Sequence, residues 1–257
     1  MIRFSKYIWL YFLLSALILV PGIFSLVRFG LRPAVDFTGG TLIEIRKDDK
    51  ISTLRLKHGE DQNIDLNGAE VLRSETVGPI LGKELLRKAA VASVLAVVAI
   101  LLYVALAFKN FKFGICAVVA LAHDLLVVIG LFSLFGRFWG VEVDTLFVTA
   151  VLTTMSFSVH DTIVIFDRIR EYRKRGERQT FSDISDRALT ETMNRSLTNS
   201  MTIIFMLLAL ILLGGSTIRW FIVALLIGTV SGTYSSPFVA TPLLILWERL
   251  EMKRRQV

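Results

Sequence analysis

Long apolar runs separated by short polar segments dominate the chain. Six of them, residues 7–27, 89–108, 113–136, 145–166, 196–218 and 220–247, each offer the roughly 20 apolar residues that a helix needs to cross a hydrocarbon layer about 30 Å thick. They predict six membrane-spanning helices. Between the first two runs the pattern changes to the period of a strand: residues 41–46 alternate, 51–56 offer a second strand and 69–74 a third. Gly78-Pro79 then breaks the chain, and residues 81–88 lead helically into the second span. The expected fold is an all-α polytopic membrane protein of six transmembrane helices with a small α+β external insertion. Its units are 1–28 (amino terminus and first span), 29–88 (external domain), 89–250 (five-helix bundle) and 251–257 (basic tail). An external segment of roughly 60 residues is too short for a robust core of its own and is expected to lean on a partner or on the membrane.

Composition mainly excludes alternatives. Hydrophobic residues make up 54% of the 257 and charged residues 20%, too apolar a balance for a water-soluble chain. The spans leave too little chain outside the bilayer for a large catalytic domain. A net charge of +7 would suit nucleic acid, but the basic residues sit at span ends, so the expected surface is the lipid bilayer and no nucleic acid. With the amino terminus placed in the cytoplasm, the inside segments hold Arg3, Lys6, Lys109, Lys112, eight basic residues from Arg168 to Arg195, and Arg249, Lys253, Arg254 and Arg255. The short outside loops hold only Arg137 and Arg219. The positive-inside rule therefore predicts both termini in the cytoplasm. The first run follows Arg3 and Lys6 as a secretory signal would, but it is too long and no small-x-small cleavage site follows it, so it reads as an uncleaved span. Cys116, the single cysteine, excludes an internal disulfide or a cysteine metal cluster and reads as a packing residue.

An ionisable group inside a span costs about 3 kcal/mol or more unless it finds a partner or water, so function is sought there. His123-Asp124 lies near the middle of the third run, His160-Asp161 lies in the fourth, and Arg195 stands at the mouth of the fifth. Spacings of three and four put Thr154, Ser158, Asp161 and Ile165 on one helical stripe and Glu191, Arg195, Thr198 and Thr202 on another. If the stripes face each other, Asp161 can meet Arg195. Burial favours the protonated carboxyl and a nearby guanidinium favours the carboxylate, so displacing the arginine switches proton binding. A transmembrane field worth about 2.3 kcal/mol per charge per 100 mV can drive such a cycle.

Each residue also has a plain structural reading. Polar groups in membrane helices often hydrogen-bond neighbouring helices, Arg195 is close enough to the interface to snorkel, and Asp124 fits a proton site and a buried clamp equally well. His123 and His160 adjoin aspartates, but successive helical residues diverge by about 100°, which argues against shared ligand sets. No metal and no other cofactor is expected. Gly228 and Gly232 make a Gly-x-x-x-Gly step in the last run, with Ser231, Ser235 and Ser236 beside it and Pro237 and Pro242 after it; internal packing and a partner interface both fit. Phosphate-loop, zinc-protease and serine-hydrolase signatures are absent, so this chain is not expected to be an enzyme.

Three strings are specific together. Val35-Asp-Phe-Thr-Gly-Gly-Thr41, Val77-Gly-Pro-Ile-Leu-Gly82 and Asp161-Thr-Ile-Val-Ile-Phe-Asp-Arg-Ile-Arg-Glu171 resemble, in that order, the SecF proteins of the SecD/SecF protein-export family. Asn194-Arg-Ser-Leu-Thr-Asn-Ser-Met-Thr202 and His123-Asp124 are similar to further stretches of it. The resemblance, over residues 1–250, implies an auxiliary subunit of the bacterial Sec translocase, built on the resistance-nodulation-division scaffold, which works with SecD and uses the proton motive force to promote export. It implies as partners SecD, the SecYEG translocon with YajC- or YidC-type accessory proteins, and exported preproteins, all at the bacterial cytoplasmic membrane. By position, Asp161 matches the family's intramembrane aspartate and Arg195 its following arginine, while Asp36, Phe37, Thr38, Gly39, Gly40 and Thr41 match the signature of the external domain. His160 stands where the family pattern more often has Asn, a change that can tune Asp161 together with His123 and Ser158, and the external segment is shorter than usual. Two other readings are a proton-driven exporter of lipid or small molecules, for which the external segment is a poor container, and a passive assembly subunit.

Overall fold

The computed structural model describes residues 4–47, 50–56, 70–108, 110–175 and 179–255. Helix α1 (Ile8–Phe29) is followed by one helical turn, α2 (Val35–Thr38), and by strands β1 (Gly40–Lys47), β2 (Lys50–Leu56) and β3 (Glu70–Val77). Helices α3 (Pro79–Phe108), α4 (Phe111–Trp139), α5 (Thr145–Lys174), α6 (Phe181–Leu213), α7 (Arg219–Ser235) and α8 (Thr241–Arg255) complete the chain. Among the described residues six helical stretches are long and apolar enough to cross a membrane, the last a composite over Ser216–Arg254.

Local chemistry sets the ends. Asn110 accepts from Lys112 N to open α4, Asp144 accepts from Phe147 N at 2.7 Å to open α5, and Thr180 accepts from Asp183 N to open α6. Pro79 starts α3, where its missing N–H costs nothing. Two helices run well past their apolar runs. The helix α5 continues to Lys174, and α6 begins at Phe181 rather than near residue 196, because its first turns are amphipathic and bury Ile184, Ala188 and Leu189. The last span is not one uniform helix. After Ser235 the backbone widens into a π turn over Ser236–Ala240, where Pro237 cannot donate, and α8 starts again at Thr241.

The helix α5 is the hub, packing most extensively on α7 and also on α4 and α6. The α5–α7 contact depends on glycine: a Cβ at Gly228 would lie 2.3 Å from Thr154 Cγ2, and one at Gly232 would lie 3.1 Å from Ser158 Cα. The Gly-x-x-x-Gly step is therefore an internal seam. A second seam joins α1 to α4, where Gly22 meets Gly130 backbone to backbone and Ser25 Oγ lies 2.9 Å from Ser133 Oγ. By contrast α3 has none of its apolar window buried within the chain.

The sheet has the antiparallel order β2-β1-β3, with Thr41 paired to Leu56 on one side and Thr76 on the other. All three expected strands form, the third running on to Val77; Ala69, where it was expected to start, lies outside the described residues.

Candidate functional site

Asp161 is 5% exposed on α5 and accepts a 2.6 Å hydrogen bond from Ser196 Oγ of α6. Around it opens a cavity of about 530 Å³, lined on α5 by His160, Asp161, Val164 and Ile165 and on α6 by Thr192, Arg195, Ser196, Thr198, Asn199 and Thr202. The two predicted stripes thus face each other, but the direct partner is Ser196, next to Arg195 and outside the predicted stripe. Arg195 shares the cavity as an exposed residue, with no ion pair to Asp161 among the described residues. His160, Thr198 and Asn199 are exposed there too, so a polar surface faces outward from a span that lipid cannot solvate.

The other predicted carboxylate is sealed. Asp124 on α4 is 4% exposed, and its Oδ2 accepts from Ser158 Oγ at 2.5 Å and Ser235 Oγ at 2.6 Å, while Oδ1 accepts from Ser231 Oγ at 2.6 Å. His123 Nδ1 completes the shell at 3.0 Å from Oδ1. The two adjacent side chains thus meet each other, a contact within one helix. Ser158 serves Asp124 rather than Asp161, which splits the predicted α5 stripe between two sites. His160 does not contact its aspartate in the same way; it lines the cavity beside it.

The ends of the bundle are tied by further groups. At the sheet end, Asp36 Oδ2 accepts from Thr145 N at 3.2 Å and from Thr145 Oγ1 at 2.9 Å, so the signature turn caps the helix that carries Asp161. Ala34 N donates to Val143 O and Val143 N to Arg32 O, both at 2.8 Å. Phe37 is buried, Thr38 Oγ1 donates to Ala34 O, and Gly39 and Gly40 take positive φ of 75° and 137°. A Cβ at Gly82 would stand 3.0 Å from Gly39 N, which brings two signature strings into contact. Burial holds the Asp144 carboxyl above the ordinary aspartate range, with the charge of Asp36 pushing the same way.

At the opposite end Arg168 of α5 bridges Glu171 and Glu191, and Glu191 also accepts from Tyr172. Lys112 pairs with Glu248 and Glu251 of α8. Asp186 of α6, 1% exposed, accepts from Ser5 N at 2.9 Å and Ser5 Oγ at 2.7 Å, pinning the start of the chain; no sequence signal pointed to this pair.

The chain matches the family model described as protein export membrane protein SecD/SecF, C-terminal, over residues 59–250, and the SecD/SecF GG motif over residues 24–46. It is 41% identical to the protein translocase subunit SecF of Thermobaculum terrenum, covering 99% of this chain and 96% of that protein. It is 31% identical to the protein translocase subunit SecDF of Bacillus subtilis, over 95% of this chain but 38% of that longer protein. The crystal structure of SecDF, a translocon-associated membrane protein from Thermus thermophilus, superposes with a TM-score of 0.86 at 29% identity, over 96% of this chain and 39% of that one.

Proposed function

Because this chain belongs to the SecD/SecF family of protein-export membrane proteins, we propose that it is the SecF half of a translocase accessory unit that loads a proton on Asp161 to drive export. The observation that carries this reading is Asp161 itself: a buried carboxylate hydrogen-bonded between α5 and α6, in an open polar cavity that also holds an exposed arginine. When Asp161 is charged, Arg195 is drawn toward it across the cavity; when it is protonated, the attraction lapses and α6 is released from α5. Asp36 passes that motion outward, since it caps the same helix and belongs to the turn that bears β1.

The outward polar face of α6 supports SecD as partner, for a second half laid on it would bury the exposed Arg195, Thr198 and Asn199. The SecDF proteins join both halves in one longer chain, as their coverage of about two fifths by this one fits. The remaining assignments extend the same reading: both termini in the cytoplasm, residues 29–88 as an external domain between the first span and a bundle over 89–250, SecYEG and its accessory proteins as neighbours, exported preproteins as cargo. A small-molecule exporter is disfavoured by the small size of the segment between the first two spans, whose described residues form a three-stranded sheet.

Proton flux in vesicles holding the chain with SecD tests this. Asp161→Asn is expected to abolish flux and proton-stimulated export while the complex still purifies, and Arg195→Ala to impair both. Unchanged flux and export in Asp161→Asn overturn the reading in favour of a passive assembly subunit.

A further inference from the structure

Asp124 is enclosed by hydroxyls from two neighbouring helices: Ser158 of α5, and Ser231 and Ser235 of α7. Ser235 is the last residue before the π turn. The next residue, Ser236, has its Oγ 2.8 Å from Thr162 Oγ1, and Thr162 follows Asp161 directly in the chain. Two successive residues at the mouth of the bend are therefore fastened to two different places, one to Asp124 and the other to the neighbour of the proton site. Thr162 Oγ1 also reaches Ser158 O at 3.2 Å and Ser236 Oγ reaches Gly232 O at 3.2 Å, so both hydroxyls have a carbonyl to donate to if they part. The bend itself is lined by rings, with Phe238 at 4.7 Å from Tyr11 and 5.2 Å from Tyr234.

We propose that Asp124 is a positioning residue for the proton step at Asp161, acting through the serine shell that holds the π turn against Thr162. It does not line the Asp161 cavity, and both of its oxygens accept from serine hydroxyls. Among the described residues the titratable group facing it is His123 from its own helix, while α5 and α7 present hydroxyls. A carboxylate so filled with donors works as a fixed anchor. The anchor sets where α7 ends and α8 begins, and through Ser236 and Thr162 it sets how α5 presents Asp161 to Ser196 and Arg195.

This inference rests on Asp161 as the proton site, and the experiment separates the two. Flux per assembled complex with SecD is measured against pH for wild type, Asp161→Asn, Ser235→Ala, Thr162→Val and Asp124→Asn, with Ser25→Ala at the α1–α4 seam as a purely structural control. Ser235→Ala and Thr162→Val are expected to lower flux about fivefold, the effect of one buried hydrogen bond, and to shift the pH midpoint. Ser25→Ala is expected to reduce the amount of complex without moving the midpoint. With Ser236→Ala measured as well, its combination with Thr162→Val should shift the midpoint no further than either alone, because each breaks the hydroxyl contact that the two residues share. If Ser235→Ala and Thr162→Val keep wild-type flux and midpoint while Asp161→Asn has none, the positioning role is wrong and the proton reading stands. If Asp161→Asn keeps full flux, both fall. Should Asp124→Asn fail to assemble, the single-hydroxyl variants decide.

Discussion

The two sides of α5 handle polarity in opposite ways. Toward α7 and α4 the helix is sealed: Thr154 and Ser158 press on glycine backbone, and Asp124 accepts from three serine hydroxyls. Toward α6 it is loose, with Asp161 held by a single hydroxyl and a cavity of about 530 Å³ beside it. Burial alone does not distinguish the two aspartates, which are 4% and 5% exposed. What separates them is how many donors surround each and whether water can reach. A membrane carboxylate with a full shell is architecture, and one with a single partner beside an open space can change state.

The comparison breaks most visibly at the seam. Gly228→Leu, which would drive a side chain into Thr154, is expected to prevent assembly of a stable bundle, whereas Thr198→Val on the α6 side should purify normally; yield and size-exclusion profile in detergent check this. Next in size, Asp124→Asn should lower unfolding free energy by about 3 kcal/mol and Asp161→Asn by about 1 kcal/mol or less, as read from thermal unfolding of purified protein. Equal losses at the two positions would erase the distinction. Smaller again, Asp36→Ala removes two hydrogen bonds to Thr145 at the first turn of α5 and should cost about 1 kcal/mol, with faster amide exchange at residues 145–148 as its local signature. The smallest effect concerns Asp144. Its carboxyl is held above the ordinary range in the folded chain, so ionisation favours unfolding: that part of the stability is complete in acid and declines as pH rises through the folded value. Asp144→Asn keeps a capping side chain and should therefore be slightly more stable at neutral pH, the gain vanishing below the ordinary aspartate range.

Six spans, three strands and the Asp161–Arg195 neighbourhood were legible in the sequence, because hydropathy runs, period-two alternation and charges in apolar runs each have a strong physical cause. The α1–α4 seam was not, since Gly22 and Gly130 inside apolar runs leave hydropathy unchanged while deciding how close two backbones come. Nor was the shell of Asp124 legible: Ser231 and Ser235 looked like part of a glycine step, and only the fold brings them to a carboxylate more than a hundred positions earlier. Pro237 and Pro242 mark an interruption in the last run, but proline alone does not specify that the backbone widens into a π turn over Ser236–Ala240. Ser5 with Asp186 lies outside any pattern, being a pairing of two residues 181 positions apart.

The contact between Asp36 and Thr145 joins residues 109 positions apart, and the adjoining strand-like bridge joins Pro33 to Val143. A ribosome adding about 5–20 residues per second takes roughly 5–20 s to cover that interval. During it the turn that seats the sheet has been made, but the helix start it grips has not, and two further spans must enter the bilayer first. The signature turn is thus a late clasp in biosynthesis: the three strands wait in an unfinished state until the membrane part has been delivered, and a chain stalled before residue 145 displays them undocked to whatever surveys the nascent protein.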